Sequence, residues 1–128
     1  MIDVTCAIII KEDKVLVTQR SEKMNLPLKW EFPGGKIEPN ETAIDCINRE
    51  IKEELNIEVE IFKMLNQKQF DYEMFSIILI PFLSYYLSGD IILSEHKDYK
   101  WLKRDELQFI DWAPADILVL EEFLKFDL

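Results

Sequence analysis

The chain has 128 residues, nearly half of them hydrophobic, with the charges spread along its length; this is the size and composition of one globular domain, 1–128. Its formal net charge of −10 argues against holding a nucleic acid polymer by phosphate neutralisation, and an anionic small molecule would need cations to offset the repulsion. Cys6 and Cys46 are the only cysteines, and their spacing suits neither a disulfide framework nor a thiolate metal site; they read as buried free thiols of a reducing compartment.

Residues 4–10 and 15–19 are rich in β-branched side chains, and the polar stretch 11–14 separates them, which predicts a β-hairpin. The first run follows Asp3 and stops at charged residues, and it is far too short for a bilayer core of about 30 Å. A cytoplasmic protein with no membrane contact is expected. Residues 21–29 read as a loop, and Trp30-Glu31-Phe32 as a short strand closed by Pro33-Gly34-Gly35. A helix is predicted over 42–55, capped by Glu41 or Thr42 and ended by Asn56, which suits a left-handed terminus. Ile44, Ile47, Ile51 and Leu55 give it one apolar stripe. Strands follow at 57–70 and 75–86, a turn at Gly89-Asp90 and a short strand at 99–102. A second amphipathic helix is predicted at 114–125, with Pro114 in its first turn and Ile117, Leu118, Leu120, Phe123 and Leu124 buried. The sum is an α+β fold, a mixed sheet covered by at least two helices.

The first helix carries a feature that stability does not ask for. Glu50, Glu53 and Glu54 share an arc of roughly 100°, on a face centred roughly 120° from the apolar stripe. Like charges at these spacings repel by a few tenths of a kcal/mol per pair. Their grouping makes sense if a cation binds there, and hard divalent ions such as Mg²⁺ prefer oxygen ligands.

Gly35, five residues, Glu41, seven residues, then Arg49-Glu50-Ile51-Lys52-Glu53-Glu54-Leu55-Asn56-Ile57 resembles the signature of the Nudix hydrolase family, Gly-x5-Glu-x7-Arg-Glu-U-x-Glu-Glu-x-Gly-U with U apolar. Asn56 replaces the last glycine, a change that leaves the acids untouched. Trp30-Glu31-Phe32-Pro33-Gly34-Gly35-Lys36 and Ala113-Pro114-Ala115-Asp116 are similar to the MutT-type branch. The resemblance implies an α/β/α sandwich around a mixed sheet. It also implies Mg²⁺-dependent hydrolysis, with Mn²⁺ as a possible substitute, of a nucleoside triphosphate of cytidine or oxidised-purine type to the monophosphate and pyrophosphate. Two other readings stand beside it: hydrolysis of another nucleoside diphosphate derivative, such as a nucleotide sugar or dinucleotide, and non-catalytic nucleotide binding. The partner is a small nucleotide, and the protein a monomer or homodimer.

The resemblance also distributes roles. Glu50, Glu53 and Glu54, with the backbone carbonyl of Gly35, match the metal-binding set. Arg49 and Glu41 match a structural pair that orients it. Glu95, six residues before Trp101, matches a late glutamate brought to the metal by a mobile loop, although Ser94–Asp98 also reads as plain exposed loop, with His96 exposed and idle. The general base is one of Glu50, Glu53 and Glu95. Arg20 and Lys36 are the cations placed for phosphate. Asp116 falls where a base-reading side chain is expected; ionised, it would accept from an exocyclic amine or ring N–H. It also reads as a first-turn acid favoured by the helix dipole. Phe32, Tyr72, Phe75 and Trp112 are candidate walls of a base pocket.

Overall fold

The β-branched runs near the N-terminus form the first two strands of the computed structural model, which describes residues 1–126. These are β1 (Ile2–Lys11) and β2 (Lys14–Gln19), followed by β3 (Trp30–Glu31), β4 (Gly34–Lys36) and helix α1 (Ala43–Leu55). Then come β5 (Glu58–Met64), β6 (Lys68–Asp71), β7 (Ser76–Ser88), β8 (Asp98–Lys103), a 3₁₀ helix at Arg104–Phe109 and helix α2 (Pro114–Phe123). All eight strands belong to one mixed sheet, with β3, β2, β1, β7 and β5 in order across it. Strand β8 pairs with β2, β4 with β1 and β6 with β7; the β1–β7 pair is parallel and the other pairs are antiparallel.

The first hairpin splays soon after its turn. Pairing between β1 and β2 is confined to Ile10↔Val15 and Lys11↔Lys14, after which β3 takes Thr18 and Gln19 and β4 takes Val4–Cys6. Segment 30–36 therefore fills the wedge between the two strands, and Ala7 N–H donates to Pro33 O at 2.8 Å within it.

Alternation along the central strands divides the core between two layers. Cys6, Ile8, Val15, Val17, Ile77, Leu79 and Leu83 face Val119, Leu120 and Phe123 of α2. Ala7, Ile9, Leu16, Ile80 and Phe82 face Ile47, Ile51 and Leu55 of α1. Helices thus cover both faces of the sheet, the α+β sandwich that the element pattern predicts.

Thr42 caps α1, its hydroxyl accepting from Asp45 N–H at 3.1 Å. Asn56 ends the helix at φ 60°, its N–H reaching Lys52 O at 3.0 Å. Of the predicted stripe, Ile44 is exposed, and Cys46 joins Ile47, Ile51 and Leu55 on the buried face. Helix α2 stops at Phe123, before the predicted Lys125, and buries Ala115, Asp116, Val119, Leu120 and Phe123. Ile117 is exposed. A helix apolar nearly all round gives no phase from which to choose the inward side. The single strand predicted over 57–70 is two strands, β5 and β6, whose gap faces Pro81. That proline has no N–H to give the ladder and instead accepts Leu65 N–H on its carbonyl at 2.9 Å.

Candidate active site

The wedge segment, the first turns of α2 and the polar face of α1 converge on a cavity of about 660 Å³. Its charged lining includes Arg20, Glu31, Lys36, Arg49, Glu50, Glu53, Glu54 and Glu95; its apolar lining includes Phe32, Tyr72, Phe75, Ile77 and Leu79, with Asp116 and Gly35 also on the wall. Sequence positions from 2 to 116 meet there.

Arg49 organises the acids. Its Nε and Nη2 donate to Glu41 Oε2 and Oε1 at 2.6 and 3.0 Å, a two-bond fork that fixes the guanidinium plane. Its Nη1 reaches Glu50 Oε1 at 2.9 Å and Glu53 Oε2 at 3.1 Å. The Arg49 hydrogen bonds, with Glu38 N–H on the same carboxylate, hold the Glu41 carboxyl down at about 2. Glu41 lies outside the cavity lining and acts on it through Arg49.

Gly35 serves this cluster by having no side chain. A Cβ there would sit 2.5–2.6 Å from both carboxylate oxygens of Glu50. Its carbonyl, assigned above to the metal, accepts the Thr5 hydroxyl at 3.0 Å and has Cys46 Sγ at 3.6 Å. The missing side chain makes room for Glu50, and the carbonyl oxygen keeps a second lone pair beside its bond from Thr5.

Glu54 is the most perturbed of the acids. Burial first, then a hydrogen bond to Glu50 and the charges of Glu50, Glu31 and Glu95, push its carboxyl up to about 9. Its Oε1 is buried with no hydrogen-bond donor. Glu95 is exposed on the cavity rim. Backbone bonds hold the chain on both sides of it: Ile92 N–H donates to Leu55 O at 3.0 Å, Ser94 N–H to Glu54 O at 3.1 Å and Lys97 N–H to Gln19 O at 2.9 Å.

Those bonds turn His96 inward, against the expectation that it is exposed. The imidazole is fully buried, with Nε2 2.7 Å from Glu31 Oε2. Glu31, not singled out from the sequence, also holds Arg20 Nη1 at 2.7 Å. Arg20 therefore reaches the cavity as half of an ion pair, with its Nε on the Asn25 carbonyl. Lys36 is exposed at the rim.

Asp116 lies on the cavity wall. It is buried at the start of α2, where Oδ1 accepts Phe32 N–H at 3.1 Å. Burial and the charge of Glu31 hold its carboxyl well above the usual range. The protonated form donates as well as accepts. Tyr72 stacks on Phe75 with centroids 5.1 Å apart, and its hydroxyl accepts Ala115 N–H at 3.2 Å. Trp112 is not a wall: it lies behind Phe32 at 4.7 Å, its indole N–H on Leu107 O.

The oxygen donors of Glu50, Glu53, Glu54 and Glu95 fit a hard divalent ion in chemistry, and the donorless Oε1 of Glu54 is the atom such an ion would satisfy. As they stand, no three His, Cys, Asp or Glu side chains among the described residues converge on a ready-made metal position. Arg49 already takes one oxygen each of Glu50 and Glu53. No helix among the described residues is long and apolar enough to cross a membrane.

The family model described as NUDIX domain matches residues 1–123. The CTP pyrophosphohydrolase of Escherichia coli K12 is 34% identical over 124 residues, covering 97% of this chain and 92% of the relative. The 8-oxo-dGTP diphosphatase of Buchnera aphidicola subsp. Schizaphis graminum is 28% identical over 123 residues, covering 96% and 93%. Among solved structures, the MutT protein of methicillin-resistant Staphylococcus aureus 252 superposes with a TM-score of 0.77 at 40% identity, covering 96% of this chain and 95% of its own.

Proposed function

This chain belongs to the Nudix hydrolase family, and from that premise we propose that its one domain, residues 1–128, hydrolyses a (deoxy)nucleoside triphosphate to the monophosphate and pyrophosphate with Mg²⁺. The observation that carries the reading is the meeting of the Arg49-bound acid cluster and an aromatic-lined, Asp116-bearing wall in one cavity. The relatives named for CTP and for 8-oxo-dGTP support a substrate of cytidine or oxidised-purine type.

Glu50, Glu53, Glu54 and Glu95 would hold the metal, with Arg49 keeping Glu50 and Glu53 oriented from behind. Bound there, the ion supplies charge neutralisation of the polyphosphate and polarisation of the attacking water. Glu54 must give up its proton to take part. A carboxylate among Glu50, Glu53 and Glu95 receives the proton of water, general-base help of about 10²–10⁴ in rate. Arg20 and Lys36 offer cations to the phosphates from the cavity wall. Phe32, Tyr72 and Phe75 offer ring faces to the base, where stacking contributes about 1–3 kcal/mol. Asp116, with Oδ1 already on Phe32 N–H, would present its second oxygen to the base edge.

Initial rates with Mg²⁺ for CTP, dCTP, 8-oxo-dGTP and the unmodified nucleotides, read as pyrophosphate release, test the proposal. Glu53→Gln is expected to lower kcat by at least about 10³ with an unchanged circular dichroism spectrum. Near-normal turnover in that variant removes Glu53 from the site. Activity only on nucleotide sugars or dinucleotides, without pyrophosphate, refutes the triphosphate assignment.

A further inference from the structure

Resting on that reading, we infer that His96 is a positioning residue that ties the substrate side of the cavity to the acid cluster through the line Arg20–Glu31–His96–Glu54. Its members come from four separate places: the end of β2, the end of β3, the segment before β8, and α1. Arg20 Nη1 lies 2.7 Å from Glu31 Oε1, Glu31 Oε2 lies 2.7 Å from His96 Nε2, and His96 Nδ1 lies 3.5 Å from Glu54 Oε2. The imidazole side chain is 0% exposed, and those of Glu31 and Glu54 are 14% and 15% exposed.

Among the described residues, the buried side-chain polar atoms without a hydrogen-bond partner are Glu54 Oε1, His96 Nδ1 and Arg104 Nη1. Two of the three belong to residues of this junction, where His96 Nδ1 faces the other oxygen of Glu54. Nε2 lies within hydrogen-bond distance of Glu31 Oε2, and Nδ1 faces Glu54 Oε2 across a longer gap. Ser94 N–H on Glu54 O and Lys97 N–H on Gln19 O tie the backbone on both sides of the ring. One edge of His96 therefore holds Glu31, which holds the Arg20 guanidinium, and the other edge is the wall against which Glu54 rests. Removing a partner that orients a metal-ligating group typically costs about 10–100-fold in metal affinity or activity.

The test compares wild type, His96→Ala and His96→Gln by Mn²⁺ titration calorimetry without nucleotide, and by kcat and KM for the best triphosphate. Circular dichroism checks the fold. His96→Ala is expected to weaken Mn²⁺ binding by about tenfold or more and to raise KM severalfold through the released Arg20. His96→Gln places an amide nitrogen near the Nε2 position, so it should return KM toward wild type while Mn²⁺ binding stays weak. Wild-type Mn²⁺ affinity in His96→Ala, or an unchanged KM in it, overturns the bridge. If His96→Ala does not fold, His96→Gln decides: weak Mn²⁺ binding with a normal KM supports the inference, and wild-type Mn²⁺ affinity overturns it. A wild-type protein that binds no Mn²⁺ and hydrolyses no triphosphate removes the proposed function itself, an outcome distinct from these.

Discussion

Raising the pH from about 6.5 to about 8.5 should tighten Mg²⁺ binding roughly 100-fold, because one proton must leave Glu54 as the ion arrives. Burial and the neighbouring acids raise that carboxyl from 4.5 to about 9 in the metal-free fold. Throughout this window Glu54 is protonated, and each pH unit lowers the work of removing the proton by about 1.36 kcal/mol, or about 2.7 kcal/mol over the two units. Above about 9 the dependence should flatten, since the proton is already gone. The same shift acts on folding with a definite sign. The folded metal-free chain binds this proton more tightly than the unfolded chain, so the associated stability is full below 4.5 and is lost as pH rises to about 9. Saturating metal should offset that loss. Titration calorimetry in two buffers of unlike ionisation enthalpy counts the released protons directly. About one proton per site near neutral pH, absent in Glu54→Gln, is the expected result. A pH-independent affinity with no proton release would refute the account of Glu54.

The two glycines of the wedge should separate fold from activity. At Gly34 a Cβ would meet backbone atoms of Thr5 and Cys6 at 2.7 Å, so Gly34→Ala should cost about 3 kcal/mol or more in a denaturant titration. At Gly35 the obstacle is the movable end of Glu50, so Gly35→Ala should melt within a few degrees of wild type yet lose most of its turnover. Arg49→Lys replaces a two-bond fork on Glu41 by a single ammonium, and kcat should fall by about 10–100-fold.

The acid helix was legible because both its faces are written in residue types: Ile47, Ile51 and Leu55 against Glu50, Glu53 and Glu54. Its one misplaced member, Ile44, lies in the first turn and is exposed. Helix α2 was legible as a helix but not in its rotation, since the buried Ala115 and Asp116 look less apolar than the exposed Ile117. Glu31 was hidden by strand alternation, which places it opposite the buried Trp30 and Phe32 and so toward presumed solvent. His96 had no local signal at all. It stands between Glu95 and Lys97 in a polar tract, and only three backbone bonds to distant elements bury it. Segment 57–70 held no Gly or Pro to mark its break, because the proline responsible is across the ladder at position 81.

The parallel pairing of β1 and β7 sets when this chain is able to assemble. Ile2 meets Ile77, and the register continues to Ile10 and Tyr85. On a ribosome the first strand emerges long before its neighbour exists, leaving a β-branched segment with one edge unfilled while the acid helix and the next strands are still being made. Closing so long a loop precedes any reward from the pairing, which places refolding in the slower, millisecond-to-second class of small domains. Early chains truncated before that neighbour should be prone to sticking to one another rather than to adopting a partial version of the sheet.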